Sequence, residues 1–277
     1  MNKLIRISVA SALMVMSSGS IAIESSLGVK DLPKLAQESQ HVAAAKRVSS
    51  QFLRAHYKQI DLDDALSLKI FERFIRSLDF NRNVFSAEDI KSFSNYKVKF
   101  DDAIERGNLS IAYEIYQLNM QRRTERYEFA LSLLDEEFNF ELVNDKFIYD
   151  REDAVWSKNT KELDELWRQR VKYDALNLKL AGKDWAKTQE LLTKRYNRAI
   201  KRLTQTSSED VFQTVMNSFA RSVEAHTSYL SPRNAERFKM EMNLSFEGIG
   251  AVLLSEDDFT TIRSVVPGGP ADLSNNI

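Results

Sequence analysis

Near its C-terminal end the chain reads LSFEGIGAVLL, from Leu244 to Leu254. This apolar run is interrupted by Gly248-Ile249-Gly250 and is followed by an acidic turn and a second β-rich run, Phe259 to Val266. The pattern predicts two strands joined by a tight turn. The sequence PGGPA at residues 267–271 then predicts a further turn that is able to open a helix.

Upstream of these strands, apolar residues recur every three to four positions, which predicts helices. Leu66, Ile70 and Phe74 form one such stripe behind a capping aspartate, either Asp61 or Asp63. Similar patterns predict further helices that begin near Ala43, Ser86, Leu109, Thr160, Asp184, Ser207 and Arg233. The predicted fold class is therefore mainly α, with a multi-helix N-terminal domain followed by the first strands of a second domain.

Two changes of pattern subdivide the chain. Between Phe138 and Trp156 the helical period is lost, which predicts a packed loop or a small strand pair. Gly182 is placed to end the helix that follows. The composition changes again at Asn243, so we predict a helical domain over residues 23–242 and a second domain that begins at 243 and runs to 277.

The first 22 residues have the pattern of an export signal. Lys3 and Arg6 precede a mostly apolar run, and Ser20-Ile21-Ala22 fits a small-x-small cleavage site. About ten apolar residues diluted by serines are too few to cross a hydrocarbon core of roughly 30 Å, which disfavours a membrane anchor. We predict a signal peptide over residues 1–22, cleavage near Ala22 and a periplasmic location.

Composition excludes several classes of function. The chain has 39 basic and 40 acidic residues, and this near balance argues against nucleic acid as a partner. It contains no cysteine, which excludes disulfides, thiolate chemistry and cysteine metal sites. A chain of this length can bury roughly 70% of its surface, so it can rest on an apolar core without such cross-links.

The histidines and one basic helix are weak candidates for chemistry. His41, His56 and His226 have no metal-ligand spacing, and a structural role is favoured for each. A general-base role remains an alternative for His226, although no nucleophile motif accompanies it. The basic side chains between residues 194 and 202 are predicted to form the solvated side of an amphipathic helix. A polyanion or membrane-surface site is the alternative.

Gly248-Ile249-Gly250 is a stronger candidate for binding. A Gly-apolar-Gly turn that enters a strand can direct successive backbone N–H groups toward one point, because glycine tolerates positive φ and close approach. A peptide C-terminal carboxylate suits such a turn beside a strand, and the peptide then adds as an extra strand. An ordinary kink in the strand explains these three residues equally well.

Several motifs together resemble one family, the carboxy-terminal processing or tail-specific proteases. The run from Phe246 to Leu253, the predicted hairpin and the VVPGGPA run at 265–271 resemble the opening of a PDZ domain. Upstream, HTSYLSPRN at 226–234 resembles the His-Thr-x-Tyr-Leu-x-Pro segment that precedes this domain in the family. The motifs RAHY at 54–57 and LDF at 78–80 also fit, and the order of all of them matches the family's order.

The resemblance implies a periplasmic endopeptidase that recognises apolar C-terminal tails of envelope proteins through its PDZ domain. Such enzymes use a serine nucleophile and a lysine base with no cofactor, and an outer-membrane lipoprotein adaptor is a possible further partner. The substrate-binding positions that carry over are Phe246, Gly248, Ile249, Gly250 and Ala251. The family's serine and lysine lie downstream of the PDZ domain, so no residue of this chain is assigned a catalytic role.

One departure from the family pattern is local. Where the family commonly has Asp-Pro before the His-Thr pair, this chain has Glu224-Ala225, which we interpret as a loop difference.

Three hypotheses follow for the chain as written. The first is the N-terminal portion of a tail-specific serine endopeptidase, shortened within an incomplete, PDZ-like α+β domain and therefore inactive by itself. The second is a non-catalytic periplasmic helical module that binds protein C-termini, and the third is a purely structural helical protein. A segment below roughly 40 residues seldom folds alone, which counts against a working binding site in residues 244–277.

Overall fold

Ten α-helices and one two-stranded antiparallel sheet make up the computed structural model, which describes residues 27–141, 145–243, 248–256 and 259–274. The first helices are α1 (Ser39–Ala55), α2 (Asp64–Leu78), α3 (Ala87–Ser92), α4 (Phe100–Arg106) and α5 (Ser110–Ser132). They are followed by α6 (Thr160–Leu180), α7 (Trp185–Thr204), α8 (Ser208–Val223) and α9 (Pro232–Asn243). The strands β1 (Ala251–Glu256) and β2 (Phe259–Val265) and the short helix α10 (Pro270–Ser274) complete the described chain.

This order confirms the predicted fold class of a helical N-terminal region followed by the start of a β-containing one. Across the described ranges, no helix is apolar enough over sufficient length to cross a membrane. The predicted signal peptide, residues 1–22, lies outside the described residues.

Side-chain caps fix where the helices begin. The carboxylate of Asp63, and not that of Asp61, accepts the Leu66 N–H at 2.8 Å and caps α2. Ser86 opens α3 with a reciprocal capping box, as its sequence predicts. Gly182 adopts a left-handed φ of 78° just after α6 and ends that helix, again as predicted.

Two apolar clusters form the core of the helical region. The first packs α2 against α8, with α1, α4 and the first half of α5 around them. The second lies among the last part of α5, α6 and α7, and Trp167 is its largest fully buried side chain. Because α5 contributes to both clusters, it joins them into one helical unit.

The segment from Phe138 to Trp156 is the predicted packed loop, since its described residues contain no strand. Phe138 and Phe140 pack against the second cluster, and Trp156 packs against the first. Arg82 ties the far end of the loop by donating to the Ala154 carbonyl at 2.6 Å.

The C-terminal strands differ from this compact arrangement. In the antiparallel pair Ala251 lies opposite Val265, with an irregularity between Val252 and Leu253. Each strand packs mainly against the other. Val252, Leu253 and Ile262 are about half exposed, at 46%, 50% and 46%. The hairpin therefore leaves apolar side chains uncovered by the described residues.

Candidate functional site

The predicted binding turn, Gly248 to Ala251, lies where the chain enters β1. Its carbonyl groups are bonded to the turn that follows β2. The Gly250 carbonyl accepts the Val266 N–H at 2.8 Å, and the Ile249 carbonyl accepts the Ala271 N–H at 2.9 Å. These two bonds bring the beginning of β1 against the beginning of α10.

Gly250 has a conformation and an environment that require glycine. Its φ is 75°, in the left-handed region that side-chain-bearing residues rarely adopt. A Cβ at this position would lie 2.9 Å from both the nitrogen and Cδ of Pro270, and 3.1 Å from the carbonyl carbon of Gly269. The close approach of the two turns therefore depends on the absence of a side chain at Gly250.

The other predicted site residues differ in their surroundings. Gly248 has open space where a Cβ would be, so its environment does not require glycine. Ile249 is 56% exposed, and Ala251 is the first residue of β1. Phe246, the predicted neighbour of a bound tail, lies outside the described residues. The structure thus brings Ile249, Gly250 and Ala251 beside the Pro270 turn and leaves the ligand-facing side of the site undescribed.

The local geometry has one property that anion binding uses. An anion-binding nest is formed by consecutive backbone N–H groups where a left-handed residue takes part in a turn, and Gly250 supplies such a left-handed residue. The carbonyls of Ile249 and Gly250 are already bonded within the unit. Backbone N–H groups are therefore the polar groups that this turn can offer to a carboxylate.

The segment that joins α8 to α9 is held by Glu224. Its carboxylate accepts the His226 N–H at 2.8 Å and the Thr227 hydroxyl at 3.3 Å, and it contacts Nδ1 of His226 at 2.8 Å. The bonds from the His226 side chain and backbone hold the pKa of Glu224 below its ordinary value. In the sequence, Glu224 is noticeable only as a departure from a family pattern, and no local signal predicts this role.

The His226 ring makes no contact with a nucleophile among the described residues. Its side chain is 94% exposed, and the ring bonds only Glu224. Asn217 also holds this segment, since its side chain exchanges two hydrogen bonds with the backbone of Tyr229 at 2.9 and 3.0 Å. The segment around His226 is therefore held by Glu224 and Asn217, and the exposed His226 ring contributes through its contact with Glu224.

His41 has the structural role predicted for it. It is 1% exposed, and its ring stacks on Phe212 with centroids 4.4 Å apart. Its Nε2 lies 2.9 Å from a carboxylate oxygen of Glu209, and its Nδ1 lies 3.1 Å from the Tyr113 hydroxyl. The same Glu209 carboxylate lies near the Tyr229 hydroxyl, and burial together with this negative charge raises the pKa of Tyr229 to about 12. In the ranges described, no group of three or more acidic or histidine side chains is arranged to hold a metal ion.

Comparison with known proteins agrees with this architecture. Residues 48–233 match the family model described as the tail specific protease N-terminal domain. Over 259 residues, 92% of the chain, the protein is 46% identical to a tail-specific protease of Haemophilus influenzae. The matched region spans 37% of the length of that relative. The chain therefore belongs to the tail-specific protease family, whose N-terminal domain it contains.

Proposed function

We propose that this chain supplies the helical domain and the beginning of the PDZ domain of a periplasmic serine endopeptidase that recognises apolar C-terminal tails. The observation that carries the proposal is the match of residues 48–233 to the N-terminal domain of this protease family. The tight turn at Gly250, which follows the matched region after α9, supports it. Serine and lysine act as nucleophile and base in this proposal, and neither is assigned to a residue of this chain.

In the proposed complex, the free carboxylate of a substrate tail binds at the turn formed by Gly248, Ile249, Gly250 and Ala251. The tail continues along the exposed edge of the hairpin as an added strand, with Phe246 beside its last side chain. Backbone N–H groups supply the main contacts, so the turn selects for a free carboxylate and the neighbouring apolar side chains select for an apolar tail. Protein substrates of the envelope, and a lipoprotein adaptor as a further partner, are part of the same proposal.

A chimera tests the tail-recognition step directly. This chain replaces the matching 259-residue region of the Haemophilus influenzae relative, with which it shares 46% identity. Cleavage is then measured on a reporter with an apolar C-terminal tail, carrying either a free carboxylate or an amide. We expect the amidated reporter to have a KM raised by about tenfold or more, because it loses one charge-assisted contact.

A matched pair of glycine variants separates recognition from general damage. Gly250→Ala should raise KM for the free tail and have less effect on kcat. Gly182→Ala carries similar backbone strain, with φ of 78°, but lies in open space at the end of α6 and should leave KM unchanged. Equal cleavage of free and amidated reporters would show that the proposed tail recognition is wrong.

A further inference from the structure

A cleft of about 470 Å³ opens among α5, α6, α7 and the loop that contains residues 147–151. Its size lies within the range of small-ligand sites in proteins. The charges that line it are strongly one-sided, since a single carboxylate, Asp174, faces five arginines: Arg123, Arg151, Arg170, Arg195 and Arg202.

Few of these guanidinium groups are hydrogen-bonded to a carboxylate, although the carboxylate of Asp79 interacts electrostatically with both Arg123 and Arg151. Arg195 pairs with Asp174 at 3.5 Å, and Arg170 lies over the ring of Trp167 at 4.6 Å. Arg123 donates to the Leu78 carbonyl at 2.6 Å, which is a neutral acceptor. Within the described ranges, neither Arg151 nor Arg202 is hydrogen-bonded to a carboxylate.

Two of the arginines that line the cleft each have a guanidinium nitrogen with an unused donor. Nε of Arg123 and Nε of Arg151 are both buried, and neither has a hydrogen-bond partner in the structure. A buried donor without a partner costs free energy, so such groups are rare and call for an explanation, of which a bound ion is one. The nearby Asp79 does not meet this need, because its oxygens accept the backbone N–H groups of residues 83–85, each at 2.9 Å.

Burial also affects the charge on Arg151. It lowers the pKa of the guanidinium, and the carboxylate of Asp79 acts in the opposite direction. A bound anion would offset the same cost of burial. The environment of Arg151 is therefore one that an anion stabilises.

Aromatic rings form the rest of the wall. Tyr149 and Tyr173 contact each other with ring centroids 6.3 Å apart, and Tyr127 stacks on Tyr196 at 6.1 Å. Rings of this kind offer flat apolar surface together with hydroxyl groups. The cleft thus combines cationic forks with a surface for an uncharged, planar or apolar part of a ligand.

We propose that this cleft binds a small phosphate-bearing anion. One carboxylate accepts one guanidinium fork, whereas a phosphate group has up to two negative charges and enough oxygens to meet several forks at once. The excess of arginine over carboxylate matches the second case. The proposal concerns a site outside the C-terminal turn and does not depend on the proposed protease function.

The placement of α7 separates this site from a general basic surface. Arg195 and Arg202 are exposed, as predicted for the basic side of this helix, and they also line the cleft, whereas Lys194, Arg198 and Lys201 do not line it. The phosphate group can belong to a free organic phosphate or to a lipid headgroup. Both sources present the same phosphate group to the arginines, and the experiments below distinguish them.

Calorimetric titration of the full chain with sodium pyrophosphate tests the site, first at low salt and then at about 150 mM. We expect saturable binding with one site per chain that survives the higher salt. The double variant Arg151→Gln/Arg202→Gln should weaken binding by about tenfold or more, because it removes two charged donors. Arg202→Gln alone, at an exposed position, should give a smaller loss and keeps the test valid if the double variant fails to fold.

The matched control is Arg47→Gln/Arg54→Gln, which removes the same charge from exposed positions of α1. Equal weakening by the control variant, or no saturable binding at about 150 mM salt, would overturn the proposal. A citrate or oligoglutamate titration that matches pyrophosphate in affinity would also overturn the proposal.

Binding to vesicles that contain phosphatidic acid, lost in the same double variant, would support the site and identify a lipid source. Binding of pyrophosphate without such vesicle binding would support it and identify a free phosphate.

Discussion

The helical region and the C-terminal hairpin use their apolar residues in opposite ways. In the helical region, large side chains such as Phe74, Phe100 and Phe212 are completely buried between helices. In the hairpin, Leu253 is 50% exposed and Ile262 is 46% exposed. Regular secondary structure is present in both, so hydrogen-bonded backbone alone does not distinguish them. Burial of apolar surface, and not the formation of helix or strand, therefore sets how much each region contributes to the stability of the fold.

Truncating one apolar residue in each region should give the largest difference. Phe212→Ala removes a fully buried ring that contacts His41 and Tyr229, and it should lower the free energy of unfolding by about 3–5 kcal/mol. Leu254→Ala changes a side chain that is 39% exposed in β1 and should cost less than about 1 kcal/mol. Urea denaturation followed by far-ultraviolet circular dichroism measures both. Similar losses for the two variants would mean that the hairpin is buried in solution and that the contrast is wrong.

A glycine pair should give an intermediate effect that is confined to the hairpin. Gly250→Ala places a methyl group 2.9 Å from Pro270 at a positive φ, so we expect a local cost of about 1–2 kcal/mol. Hydrogen exchange of the Val266 amide, which donates to the Gly250 carbonyl, should become about 5- to 30-fold faster, as that cost implies.

The control for this pair is Gly248→Ala, where a Cβ meets open space, and it should leave the exchange rate of the Val266 amide nearly unchanged. The thermal midpoint of the helical region should be the same in both variants. A lower midpoint in Gly250→Ala would show that the two regions unfold together.

An ion pair within the helical region should give the smallest effect, with a defined pH dependence. Asp145 accepts hydrogen bonds from Arg168 at 2.6 and 2.9 Å and from Lys172 at 2.8 Å, and these contacts hold its pKa well below the ordinary value. A carboxylate whose pKa is lower in the folded state stabilises that state above the unfolded pKa of about 4. The stabilisation is lost as the pH falls below about 4 toward the depressed pKa.

Asp145→Asn should therefore cost about 1 kcal/mol at pH 7, and the difference from the unchanged protein should shrink as the pH falls below about 4. Asp102→Asn is the matched control, because its pair with Arg106 at 3.2 Å is exposed, and it should have little effect at either pH. Urea denaturation at pH 7 and at about pH 3 measures both variants. A constant difference for Asp145→Asn across this range would show that the contact acts by packing and not by charge.

Much of the fold was predictable because local rules decide helix boundaries. The cap at Ser86, the glycine that ends α6 and the apolar stripe of α2 are each determined by residues within one or two turns. The same locality explains the correct prediction of the hairpin. Residues 138–156 were harder to predict, since their packing depends on two clusters built from distant helices.

The candidate sites were predictable only in part. Gly250 was identified because a Gly-x-Gly turn at the start of a strand is a local pattern, but its need for glycine comes from Pro270, which lies 20 residues further along the chain. Glu224 was missed because its three acceptor contacts require the particular bend after α8. The arginine cleft was missed because Arg123, Arg151 and Arg202 are far apart in sequence and carry no motif.

The sequence by itself determined where most of the described helices begin, where the hairpin begins and to which family the chain bears a resemblance. These properties depend on spacing, caps and turn residues, all of which act over a few positions. Only the tertiary structure decided that Gly250 contacts the Pro270 turn, that His41 is enclosed by Phe212, Tyr113 and Glu209, and that five arginines share one cleft. Such contacts join distant parts of the chain, and their position is set by how helices and turns pack, which no local pattern encodes.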